Sequence, residues 1–179
     1  MKYLLAHRYA QALYEISKSG NNTEQIHSDL KNLLQIISES NHFADFIHNP
    51  VIHFKKRREI LSKLFQGKFD AMTNRFLGFI ATKDRLAILQ EICIAYGDIY
   101  LKENDIVRAK ITTSVELSKH QISALEQHLK LRLRKEIESD IVVDPNLIGG
   151  IKVQVGDFVQ DFSIRSQLDQ FRKNLLKEQ

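Results

Sequence analysis

D-P-N-L-I-G-G-I-K-V-Q-V-G-D, running from Asp144 to Asp157, offers two readings, a phosphate loop or the bends of a small sheet. Three of the chain's seven glycines, Gly149, Gly150 and Gly156, fall within it around an alternating apolar run. A phosphate-cradling dinucleotide loop needs G-x-G-x-x-G directly opening a helix. Here the spacing differs, and Phe158-Val159 continues in strand-like fashion after Gly156-Asp157. Ile151, Val153 and Val155 alternate with Lys152 and Gln154, the pattern of a strand with one buried and one wet face. The glycines therefore read as turn and bend residues of a small sheet, supplying backbone conformations that side chains would hinder.

A strand-like pattern recurs upstream. Ile106 to Thr113 is rich in β-branched residues and predicts a strand. Ser118-Lys119-His120-Gln121 has the capping-box pattern S-x-x-Q, which predicts a helix running to about Glu138. Short strands are expected at Ile141–Val143, Ile151–Val155 and Phe158–Val159. Downstream, Ile164, Leu168, Phe171 and Leu175 recur at helical spacing and predict a last helix from Ser163 to about Lys177.

Before residue 105 the period is helical throughout. Ile26, Leu30, Leu33, Leu34 and Ile37 form one apolar stripe after an N-cap expected at Thr23. A short helix around Phe43–Ile47 should stop before Pro50, which pushes its predecessor out of the α region. Another helix spans about Lys55–Gln66 and meets Gly67 as its C′ residue. Further helices carry Met72 to Ile80 and, after an N-cap expected at Asp84, Leu86 to Ile99. With a first helix near residues 3–18, the expectation is an α+β protein. A six-helix N-terminal bundle over residues 1–104 should precede a small α+β domain over residues 105–179, with a short sheet and two helices.

Composition narrows the function. The chain has 179 residues, 43% hydrophobic and 27% charged, which suits a globular protein and is too apolar for a disordered one. A single cysteine rules out an internal disulfide and fits a reducing compartment. No apolar run approaches the roughly 18 residues of a membrane span. The start M-K-Y-L-L-A-H-R-Y-A has neither a signal peptide's apolar core nor the composition of a transit segment. Residues 1–104 carry 14 Lys/Arg against 11 Asp/Glu, and residues 105–179 carry 12 against 11, so the net charge of +4 is spread rather than concentrated. The one basic run, Lys55-Lys56-Arg57-Arg58, reads as the solvated first turn of a helix. A basic adaptor that contacts nucleic acid through this run is the alternative.

Positive signs of catalysis are missing. Gly67-Lys68 lacks the glycine and Ser/Thr of a P-loop. No two of the seven histidines sit three or four residues apart, so no helical metal site is expected. Cys93 lies among Leu89, Ile92 and Tyr96 and reads as a small buried hydrophobe. A small enzyme built on Cys93 or a histidine would require activity that Cys93→Ser abolishes. The expectation is no catalytic residue, no cofactor and no metal. What stands out instead is apolar surplus on the first helix and on the helix around Met72–Ile80. A helix buried on two sides explains it, and so does a groove for a partner's amphipathic helix.

These residues resemble the delta subunit of bacterial F-type ATP synthase, the family that includes the mitochondrial oligomycin-sensitivity-conferring protein. The likeness rests on Arg8-Tyr9-Ala10-Gln11-Ala12-Leu13, Asn49-Pro50, Arg85-Leu86 and Thr112-Thr113, then Leu117-Ser118 and Gln121. Most specific is the series Asp144-Pro145, Leu147-Ile148-Gly149-Gly150, Val153, Gly156-Asp157, Asp161, Ser163, Arg165 and Leu168. Two departures are visible: Phe162 stands where the family usually has glycine, and Glu116 where it often has proline. The resemblance implies a non-catalytic stator subunit of the peripheral stalk, acting during proton-driven ATP synthesis. Residues 1–104 would bind the N-terminal segments of the alpha subunits, and residues 105–179 the C-terminal ends of the b subunits. It further implies that Tyr9, Leu13, Phe76, Phe79 and Ile80 form the alpha-binding surface, with no bound nucleotide, metal or nucleic acid. The location implied is the cytoplasmic face of a bacterial inner membrane, held peripherally through partners.

Overall fold

A computed structural model of the chain describes residues 2–49 and 52–177. It combines a helical N-terminal region with a small four-stranded sheet, and the chain divides into two compact units between Tyr100 and Leu101.

The first unit is built from α1 (Lys2–Ser19), α2 (Thr23–Glu39), α3 (Asn41–His48), α4 (Phe54–Phe65) and α5 (Ala71–Thr82). A 3-10 turn at Leu86–Ile88 then leads into α6 (Leu89–Glu103). Each helix buries one stripe. Ala6, Ala10 and Leu13 of α1 meet Ile26, Leu30 and Leu33 of α2, Leu77 and Ile80 of α5, and Leu89, Ile92 and Tyr96 of α6 in one core. Removing a Leu or Ile side chain from water is worth about 1.5–3 kcal/mol, so this shared core supplies most of the unit's cohesion.

Local signals mark several helix ends. Gly67 sits one residue past the Gln66 cap of α4 with φ +74, the left-handed C′ geometry. Ser40 caps α3 by accepting from the Phe43 amide. Three expectations need correction. Thr23 opens α2 rather than capping it; Asn22 holds the cap position and makes no side-chain cap bond. Asp84 is not an N-cap either. It adopts φ +54 before the 3-10 turn, and its carboxylate meets Arg57 Nη1 at 2.5 Å. Arg57 in turn is not part of a solvated face. It is buried, and its Nη2 donates to the Asn49 carbonyl. A desolvated cation needs such partners, and Asp84, 27 residues away in sequence, supplies the charge. The basic run is thereby broken: Lys55, Lys56 and Arg58 face solvent while Arg57 turns inward. The short helix α3 ends at His48, before Pro50 as expected; Pro50 itself and the apolar position at the Leu175 side chain lie outside the described residues.

The second unit contains β1 (Ile106–Thr113), α7 (Lys119–Leu133), β2 (Glu136–Val143), a 3-10 turn at Pro145–Leu147, β3 (Ile151–Val155), β4 (Phe158–Asp161) and α8 (Ile164–Lys177). The sheet order is β2-β1-β3-β4. β1 and β2 run parallel with Ile111 opposite Ile141, while β3 is antiparallel to β1 with Val153 opposite Ile111. Parallel neighbours require a crossover, and α7 provides it. One face of the sheet (Ala109, Ile111, Val153, with Ile137, Ile141, Ile151 and Val155) packs on Leu125 and Leu129 of α7. Arg108, Lys110, Lys152 and Gln154 point the other way, as the alternation predicts.

The capping box on α7 forms as read. Ser118 Oγ accepts from the Gln121 amide, and Gln121 Oε1 accepts from the Ser118 amide. The expected end near Glu138 does not hold. α7 stops at Leu133, Arg134 turns left-handed at φ +54, and residues 136–139 belong to β2. Propensity would extend the helix through Lys135 and Glu136. Eight registered pairs with β1, from Ile106–Glu136 to Thr113–Val143, outweigh it.

The glycines of the opening stretch have two jobs. Gly156, with φ +58, and Asp157 form the two-residue turn between β3 and β4, and glycine first in the turn is the type II′ arrangement. Gly150, with φ +82, lies so close to the start of α8 that an added Cβ would sit 2.3 Å from the Phe162 carbonyl oxygen. Beside it, the Ile164 amide donates to the Gly149 carbonyl at 2.9 Å. Phe162 itself has no positive φ. Its amide donates to Ile151, and Asp161 Oδ1 accepts from the Ser163 amide, so the turn into α8 forms without glycine at position 162.

Candidate functional site

The candidate surface lies on α1 and α5, and its geometry begins with what holds these helices. α1 is fixed against α6 by a buried polar knot: Ser17 Oγ donates to the Tyr14 carbonyl and meets Tyr96 Oη at 3.0 Å. Tyr96 Oη also lies 3.2 Å from the Thr23 carbonyl oxygen, an alternative acceptor for its one proton, and burial pushes the phenol up to about 12. The knot is thus neutral at any physiological pH.

α5 is held at its N-terminus by a carboxylate from α2. Asp29 is buried and accepts from the Asp70 amide at 2.7 Å, Thr73 Oγ1 at 2.8 Å and Gln25 Nε2 at 3.0 Å. Asp70 then caps α5 through the Met72 amide at 2.7 Å. Charge-assisted bonds of this kind are roughly twice as strong as neutral ones, which makes Asp29 the anchor that sets where α5 begins.

The five sequence-predicted residues do not all reach the surface. Leu13 and Ile80 are buried in the core and support the surface from behind. Tyr9 and Phe76 are half-buried, packed on that core. Phe79 is 47% exposed, meets the Tyr9 ring edge-on at a centroid distance of 6.2 Å, and carries Lys83 Nζ over its own ring. The Tyr9–Phe79 contact shows that α1 and α5 present adjoining apolar stripes. On α1 the stripe extends through Leu5, Tyr9, Ala12 and Ile16, and on α5 through Met72, Phe76 and Phe79. Exposed Leu4 and Ile16, at 60% and 56%, belong to the same helix; the sequence marks both as part of its apolar surplus but not among the five site residues. Their signal was present: apolar residues all round a helix whose core stripe was already filled by Ala6, Ala10 and Leu13.

Such a surface can bind but offers no chemistry of its own. Its groups are aromatic and aliphatic, with a hydroxyl at Tyr9 and an ammonium at Lys83. Elsewhere, burial pushes the Cys93 thiol up to about 12, so thiolate is negligible at neutral pH. Among the described residues no three His, Cys, Asp or Glu side chains are grouped to hold a metal ion, and no helix is long and apolar enough to cross a membrane. Two histidines serve local structure: His27 stacks on Tyr100 at 4.2 Å, and His53 Nδ1 accepts from the Lys55 amide at the start of α4.

Comparison with known proteins bears on what binds here. Residues 5–175 match the family model described as ATP synthase delta (OSCP) subunit. The chain is 30% identical over 175 residues to the ATP synthase subunit delta of Chlorobaculum tepidum, covering 98% of this chain and 97% of that one. It is 33% identical over 175 residues to the same subunit of Clostridium botulinum, covering 98% of each. In Clostridium beijerinckii the identity to that subunit is 30% over 179 residues, covering all of both chains. Among solved structures, a chain in the cryo-EM structure of the Toxoplasma gondii mitochondrial ATP synthase hexamer superposes with a TM-score of 0.70. That superposition covers 96% of this chain and 97% of the other at 24% identity, which speaks to the fold.

Proposed function

The chain belongs to the ATP synthase delta (OSCP) subunit family, and from that membership we propose how it grips its neighbours in the complex. As a delta subunit it is a non-catalytic component of the peripheral stalk of F-type ATP synthase. In our reading the six-helix N-terminal domain, residues 1–104, seats the N-terminal segment of an alpha subunit along α1 and α5. Residues 105–179 meet the C-terminal ends of the b subunits. The subunit then holds the catalytic head still against rotor torque, peripheral to the cytoplasmic face of a bacterial inner membrane and attached only through its partners.

The observation that supports the first contact most is the exposed Phe79 beside Tyr9. Two adjoining apolar stripes at helical spacing suit an amphipathic helix laid into the groove between them. For the second contact, α8 exposes Leu168 and Phe171 by 57% and 71%, an apolar stripe with no counterpart in the core of its own unit. The basic-adaptor alternative loses its main feature, because Arg57 is withdrawn from Lys55–Arg58 into an ion pair with Asp84.

A synthetic peptide of the alpha N-terminal segment should bind the full chain in calorimetric titration. Phe79→Asp should weaken that binding at least tenfold, because it places a charge at the centre of an apolar contact. Unchanged affinity would remove the α1–α5 surface from the reading. The substitution is at an exposed position, so the melting temperature should stay within a few degrees of wild type.

A further inference from the structure

Next to Phe79, a cleft of about 560 Å³ opens between α4 and α5. Leu61, Leu77, Gly78 and Phe79 line it together with Arg58 and Arg75, and Arg58 Nε lies against Gly78. No carboxylate lines it. Among the described residues neither guanidinium makes a hydrogen bond or ion pair. The neighbouring carboxylates are engaged elsewhere: Glu59 pairs with Lys63 at 2.7 Å and Asp84 with Arg57 at 2.5 Å. Gly78 lies on its wall. A Cβ there would meet Arg58 Nε at 3.6 Å, ordinary contact, so nothing in the packing requires glycine. Glycine in a helix interior is nonetheless unfavourable.

We propose that this cleft takes carboxylate side chains from one flank of the same partner segment that seats its apolar face on Phe79. The proposal rests on the α1–α5 reading and adds a charge requirement to it: the bound helix is acidic on the side that overhangs α5. Three features favour a protein segment. The cleft is continuous with the apolar surface through Phe79, its two cations are unpaired, and planar guanidinium groups match carboxylates in two-pronged fashion.

The test uses the full chain and the alpha N-terminal peptide, titrated at low and at raised salt. Arg58→Gln with Arg75→Gln should weaken binding about threefold to tenfold at low salt and flatten its salt dependence, as expected for two partly exposed ion pairs. Lys55→Gln with Lys56→Gln removes the same charge outside the cleft and should change the Kd by less than about twofold, since exposed charges at a distance are screened. A peptide with its acidic residues amidated should bind both arginine-replaced and wild-type chains alike. If the arginine pair changes nothing while Phe79→Asp weakens binding, the cleft proposal falls and the α1–α5 surface stands. If the arginine pair weakens binding while Phe79→Asp does not, the segment is not seated on Phe79, and the proposal falls together with the α1–α5 reading. Equal weakening by the lysine pair would reduce the effect to general attraction and overturn the proposal. So would binding of an oligonucleotide, lost with the arginine pair while peptide binding persists.

Discussion

A residue-scale contrast separates two glycines that look alike in sequence. Gly150 and Gly156 both hold positive φ, +82 and +58, but only Gly150 also faces a backbone oxygen, 2.3 Å from where a Cβ would stand. Gly156→Ala meets open space and should cost about 1–2 kcal/mol, the left-handed penalty alone. Gly150→Ala must also push Phe162 and the start of α8 aside, and should cost at least about 3 kcal/mol, in the range where destabilisation has a nameable mechanism. Urea denaturation of both variants orders them; equal losses would mean the contact at Phe162 relaxes freely. Beside them, Asp161 is held below the usual carboxylate range, chiefly by hydrogen bonds from the Ser163 side chain and amide. A depressed folded-state value means its contribution is present above the unfolded value near ~3.9 and lost as pH falls through the lower folded one. Asp161→Asn should therefore lower stability at neutral pH by a small amount and leave it unchanged under acid. The group is almost fully exposed, so solvent screens most of the effect. The sequence announces the glycines by type and spacing but not which is crowded, because the oxygen that crowds Gly150 comes from a residue twelve positions on.

Elements divide into those written locally and those written by their neighbours. The capping box at Ser118, the C′ glycine after α4 and the alternation of β3 are local and legible. The end of α7 is not, because helix formers continue past Leu133 and only pairing with β1 makes strand of Glu136–Ser139. Arg57 and Asp84 are likewise illegible: each reads as a surface residue until the fold brings them within 2.5 Å. The surface on α1 and α5 was half legible. Apolar surplus marked the two helices, but which of Leu13, Ile80 and Phe79 faces outward depends on the roll of each helix in the bundle. For α5 that placement starts at Asp29. Asp29→Ala strips partners from the Asp70 amide and Thr73 hydroxyl and should cost about 2–4 kcal/mol, since buried donors left unpaired each carry a penalty. Asp29→Asn keeps an acceptor and should recover part of that loss in thermal denaturation. Gly78→Ala runs the other way, raising stability by about 0.5–1 kcal/mol because the helix gains propensity without a clash.

For the whole molecule, the consequence of a non-catalytic stalk subunit is that grip replaces chemistry. A single amphipathic helix in a groove binds modestly, but two contacts on one chain within one complex gain from effective concentration, which reaches the millimolar range for short connections. Each contact can then be individually weak while release of the subunit is slow. The exposed stripe on α8 and the Phe79 surface on α5 belong to different units and share no side chain, so their contributions should add in free energy. Phe79→Asp and Leu168→Asp, made in the full chain and assembled into membrane-bound enzyme, should each speed loss of the subunit in a dilution wash while leaving some retained. The double variant should lose it by about the product of the two single factors, because every tenfold change is about 1.4 kcal/mol and the terms sum. The amount of subunit remaining on washed membranes against time measures all three. A double variant no faster than the worse single one would mean that one contact alone carries the load, and the two-ended grip would have to be abandoned.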